Sequence, residues 1–80
     1  MRFNKEKTIY YFDKDPGYET LQSITKGFFT TLKTSDGRII FMNENGENHL
    51  NINKEATTMF GIIMYGPIAI VGISRKDLLA

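Results

Sequence analysis

Apolar and polar positions divide this chain into short segments of contrasting period. Thr8-Ile9-Tyr10-Tyr11-Phe12 is β-branched and aromatic and predicts a strand. By the two-residue period, Tyr10 and Phe12 share one face and Tyr11 takes the other. Asp13-Lys14-Asp15-Pro16-Gly17 breaks the strand with turn residues. Leu21, Ile24 and Phe28 then follow at helical spacing, which predicts a helix over 17–26 with Gly27 as its C-terminal glycine.

The next pattern returns to period two. Phe28 to Lys33 reads as a strand, with Phe28, Thr30 and Leu32 on one face and Phe29, Thr31 and Lys33 on the other. Thr34-Ser35-Asp36-Gly37 supplies a hairpin turn, because Asp-Gly adopts positive φ readily, and Arg38 to Asn43 returns antiparallel. Asn43 to His49 is polar and turn-forming, and Leu50 and Ile52 suggest a short extended piece. Asn53 is placed to cap a helix over Lys54–Phe60, in which Ala56 and Phe60 face inward together. Gly61 ends that helix. Ile62 to Ile73, interrupted by Gly66-Pro67, predicts a final strand, and its lack of polar alternation makes it central in the sheet. Ser74 to Leu79 has the pattern of a terminal turn. The order β-α-β-β-α-β predicts one α+β domain over residues 1–80, a mostly antiparallel sheet with two short helices packed on it.

Composition narrows the function classes. The chain has 80 residues, with 10 Lys plus Arg against 9 Asp plus Glu. A net charge of +1 argues against a polybasic nucleic-acid binder and equally against an acidic nucleic-acid mimic. With no Cys, disulfides, thiolate zinc sites and a cysteine nucleophile are excluded. The N-terminal residues are mixed in charge and lack the apolar core of a signal peptide. The apolar run of 61–73 is shorter than the roughly 20 residues that span a bilayer. The expectation is a cytosolic protein with no membrane association. That same run reads first as buried strand and also suits the interface of a homo-oligomer through residues 61–73, and the two are compatible.

Candidate chemistry is sparse. His49 is the only imidazole, and no second base or nucleophile stands at a telling spacing, so no catalytic residue is expected. No His or Cys recurs at ligand spacing, and the Asp13-Asp15-Glu19 and Asn43-Asn45-Glu47 groups fail the calcium-loop pattern, so no metal is expected. No phosphate-cradling glycine motif is present, and no cofactor is implied. Tyr10, Tyr11 and Phe12 near Lys5, Lys7 and Lys14 would suit stacking on a nucleotide; alternate aromatics of a strand also simply fill a core. The segment 43–53 is the most unusual, with five Asn, two Glu and the His. Asn both donates and accepts, which suits recognition of a base edge, a peptide backbone or a sugar; the same residues also serve turns and caps. The binding candidates are therefore Tyr11, Arg38, Asn43, Glu44, His49 and Asn53.

Leu21-Gln22, Gly27, Asn43-Glu44-Asn45-Gly46, Asn53, Ala56 and Gly66 with Ile68 to Val71 occur in an order that resembles a small domain family of bacteriophages and bacterial mobile elements. The resemblance covers residues 17–73. The chain departs from the family pattern at Thr25, Lys26 and Lys54-Glu55, where the family carries Val, a second Gly and a more basic pair. The resemblance implies a phage or mobile-element origin, with the host cytoplasm as the place of action, and no assigned reaction. Small phage proteins commonly act by stoichiometric binding, so the expectation is a non-catalytic counter-defence protein bound to a host defence effector, as anti-CRISPR inhibitors are. The alternatives are an oligomeric sponge for a nucleotide immune signal and a phage regulatory factor.

Overall fold

The computed structural model describes residues 7–73. The expected α+β architecture is present. The elements run β1 (Ile9–Phe12), α1 (Tyr18–Thr25), β2 (Phe29–Lys33), β3 (Ile39–Asn43), α2 (Gly46–His49), α3 (Lys54–Phe60) and β4 (Ile68–Val71). The four strands form one sheet in the order β1-β4-β3-β2. β2 pairs antiparallel with β3, and β3 antiparallel with β4, while β4 runs parallel to β1. β4 is central, as its unbroken apolar pattern predicts.

Side-chain alternation splits the interior between the two faces of the sheet. Ile9, Ile40, Ile68 and Ile70 project to one face and form the main core with Ala56 of α3 and Met64; Met42 and Phe60 pack at its margin. On the other face, the Phe29 ring meets the Tyr18 ring at a tilt and the Phe41 ring edge to face, with centroids 5.5 and 5.2 Å apart. Leu21 and Thr25, one helical turn apart, bury α1 against this face. Ala69, opposite Phe41, is fully buried there, so its small side chain lets the helix approach β4.

Asn53 organises the join between the layers. Its Oδ1 accepts from the Ala56 amide at 3.0 Å, the N-cap bond expected from the sequence. Its Nδ2 donates to the Thr8 carbonyl at 2.9 Å and to the Gly66 carbonyl at 2.8 Å. One side chain therefore starts α3 and holds the entries of β1 and β4 side by side.

Four expectations need correction. The polar stretch after β3 contains a short helical turn, α2, so the described residues hold three helices rather than two. The turn forms because the Leu50 amide closes on the Gly46 carbonyl at 2.7 Å while Gly46 packs directly on Tyr65. Residues 62–65 are not strand: Met64 is buried, Tyr65 makes a single bridge to Ile52, and Ile62 and Ile63 point outward. Phe28 does not complete an apolar helix face; it lies beyond α1 and is exposed. The left-handed residue at the end of α1 is Lys26 (φ 65°), with Gly27 one position later. The Gly27 amide reaches back to the Gln22 carbonyl at 3.1 Å, which closes the helix. The terminal turn expected over Ser74 to Leu79 lies outside the described residues.

Replacing Asn53 tests its role. Asn53→Ala removes a cap and two buried donors, and we expect a loss of about 3 kcal/mol. Asn53→Asp keeps the acceptor but turns a buried carboxylate oxygen toward the Thr8 and Gly66 carbonyls, and the expected loss is at least as large. Urea denaturation checks both; small losses would refute the arrangement.

Candidate functional site

The six sequence candidates do not converge on one site. They separate into three places, and in each the local structure decides what the side chain is free to do.

Asn43, Glu44 and His49 come together around a shallow pocket of about 190 Å³, with Lys26, Gly27 and Phe28 opposite. Asn43 is committed to the fold. Its Nδ2 donates to the Thr25 carbonyl at 2.9 Å and the Lys26 carbonyl at 3.2 Å, and its Oδ1 accepts from the Asn45 amide at 2.7 Å. It thus satisfies carbonyls left over at the C-terminal end of α1, groups that have no partner within the helix. Gly27 is required beneath it, since it holds φ 144° and an added Cβ would stand 3.2 Å from Asn43 Nδ2. Glu44 and His49 are exposed on the rim.

Arg38 sits at the far end of the β2–β3 hairpin. Its Nε lies 3.2 and 3.1 Å from the two Asp36 carboxylate oxygens, and a terminal nitrogen lies 2.9 Å from Oδ2. This fork-on-fork pairing makes Arg38 part of the turn. Thr34 completes it: its hydroxyl accepts from the Arg38 amide at 2.8 Å and donates to the Asp36 carboxylate.

Tyr11 and Asn53 border a third surface with Lys7, Ile9 and Glu55. Asn53 is only 4% exposed, and its Nδ2 and Oδ1 are both engaged as described above. Tyr11 is on the outer strand, 59% exposed, with its hydroxyl 3.8 Å from Met59 Sδ.

Every buried side-chain nitrogen and oxygen among the described residues has a hydrogen-bond partner. No group of three or more His, Asp or Glu is gathered for a metal among them. No helix there is long and apolar enough to cross a membrane.

What the sequence reading missed is apolar. A groove of about 500 Å³ runs between the β2–β3 hairpin and the end of α3, lined by Leu32, Ile40, Met59, Phe60 and Ile62, with Asp36 and Arg38 at one end. Leu32, Met59 and Ile62 are between 38% and 48% exposed. Their burial is a tertiary property; a Leu in a Thr-rich strand and a Met in a helix carry no local signal of exposure.

Comparison with family models, curated proteins and solved structures returns no match. The phage-family resemblance therefore rests on the residues quoted above.

The two kinds of polar residue behave differently under substitution. Asn43→Ala should cost about 2 kcal/mol, because it orphans carbonyls at a helix end. Glu44→Ala and His49→Ala should stay within about 0.5 kcal/mol of the unchanged protein. Thermal melts of the three variants check this; equal effects would show that Asn43 is not structural.

Proposed function

We propose that this chain is a small non-catalytic binding protein whose partner is another protein, held at the groove between the β2–β3 hairpin and α3. One observation carries the reading. Three of the six polar candidates, Asn43, Asn53 and Arg38, are consumed by the frame, while Leu32, Met59 and Ile62 stand exposed together beside a charged rim. Apolar anchors in a groove with polar groups at its edge are the usual make-up of a protein interface.

The resemblance to phage and mobile-element domains supports a counter-defence role. The target is then a host defence effector, met in the host cytoplasm and blocked by stoichiometric occupation. A net charge of +1 favours this over direct DNA binding, which draws its affinity from phosphate neutralisation. The nucleotide-sponge alternative has less support, since Asn43, Asn53 and Arg38 already have internal partners.

Three measurements test the reading. Native mass spectrometry of protein purified gently from a bacterial host should show no retained small molecule, and added nucleotides should leave the melting temperature unchanged. Leu32→Glu and Ile62→Glu should each weaken capture of a defence effector at least about tenfold, with little change in melting temperature. A retained mass of a few hundred daltons would replace this proposal with the sponge.

A further inference from the structure

Among the described strands the sheet has two outer edges, and they differ in chemistry. β2 carries two Thr and ends on Lys33, a charge of the kind that discourages strand addition. β1 is Ile-Tyr-Tyr-Phe, with no charge, Pro or Gly within it. Such an edge is a template for another strand.

The hydrogen bonding of β1 says which of its groups are free. The Thr8 carbonyl accepts from Ile68 N at 3.0 Å and the Phe12 carbonyl from Gly72 N at 2.8 Å, so Thr8, Tyr10 and Phe12 turn their backbone groups toward β4. Alternate residues of a strand point opposite ways. Ile9 and Tyr11 therefore direct their N–H and C=O outward, away from the sheet.

We propose that β1 is the seam of a two-fold symmetric dimer, in which the β1 strands of two copies pair antiparallel and join their sheets into one. A two-fold interface must be complementary to itself. Centring the pairing on Tyr10 meets that condition in every respect. Ile9 of each copy stands opposite Tyr11 of the other, so the outward backbone groups exchange hydrogen bonds in both halves. Opposed residues have the same parity, so each face of the sheet continues across the seam. Lys7 then faces Asp13 of the other copy, twice, and both residues are exposed in the single chain. Shifting the centre to Tyr11 sets Ile9 against Asp13, where the bend begins, and moves the charge match to Asp15, past that bend. This self-matching of charge points to a second copy as the occupant rather than a foreign peptide.

The neighbouring surface suits the seam. Tyr11 and Ile52 are exposed on the α3 side of β1, at 59% and 48%, and would be covered in part by the second copy. The seam from residue 7 to residue 13 spans roughly 23 Å, and Ile9–Phe12 is the part that is strand in the single chain. That is a small contact area, so the dimer should have a dissociation constant on the order of 10 µM. The seam lies at the opposite edge of the sheet from the hairpin that bounds the proposed partner groove, and it stands independently of that reading.

Sedimentation velocity of the full chain at low ionic strength, from about 1 to 500 µM, tests the proposal. A concentration-dependent monomer–dimer equilibrium is expected. Tyr11→Pro removes one outward N–H and should abolish dimerisation, while the melting temperature of the monomer stays nearly unchanged. Lys7→Asp and Asp13→Lys should each weaken self-association about tenfold, since each creates two like-charge contacts per dimer. An equimolar mixture of the two should restore it as a heterodimer, because every opposed pair is again of opposite sign. That rescue decides the matter even if the proline variant fails to fold. A chain that stays monomeric throughout would overturn the proposal. So would a dimer indifferent to the charge reversals, including one lost instead on Ile63→Glu, which would assign the seam to residues 61–73.

Discussion

The buried amide of Asn53 is the constraint on which the rest of this small protein depends. Burying an amide costs free energy unless each of its groups finds a partner. Here the partners are the start of α3, the Thr8 carbonyl at the start of β1 and the Gly66 carbonyl ahead of β4. Its backbone amide also donates to the Met64 carbonyl at 2.8 Å, drawing in the loop after α3. Segments far apart in the chain meet at one residue, and they can satisfy it only when all are in place. That coupling compensates for strands of four or five residues, each too short to be stable alone.

Asn43 repeats the same logic on the other side. It binds the end of α1 to the end of β3 and turns the chain into α2. Two of the asparagines that make the polar segment unusual are thus structural ties. With the frame using Asn43 and Asn53, what remains outside it includes apolar side chains beside α3 and the backbone groups along the outer edge of β1. Both are features of protein association, and they lie toward opposite edges of the sheet.

Much of the frame was legible in the chain. Asp36-Gly37 between two alternating segments marks the hairpin, because few residues other than Gly tolerate the turn; its φ is 93°. The unbroken Ile68-Ala69-Ile70-Val71 run marks a central strand, since both of its faces are covered. Asn53 three residues before Ala56 marks the cap of α3. The candidate site was less legible. Asn serves caps and ligands with the same atoms, so composition alone left Asn43 and Asn53 open between the two. Tyr11 came out exposed, as the alternation of β1 allows, whereas Ile62 and Ile63 resemble core residues in sequence and face outward.

The division has a physical basis. Local sequence determined the strands, the hairpin, the capped helix and the two faces of β1, because these rest on backbone preference and on periods of two and 3.6 residues. Only the tertiary structure decided the parallel pairing of β1 with β4, the helical turn at Gly46, the left-handed Lys26 and the exposure beside α3. Each of those depends on contacts between distant segments: Thr8 with Ile68, Gly46 with Tyr65, Asn43 with Thr25 and Lys26. A hydrogen bond across the fold outweighs local preference when the alternative is a buried polar group without a partner, and no window of sequence contains both of its ends.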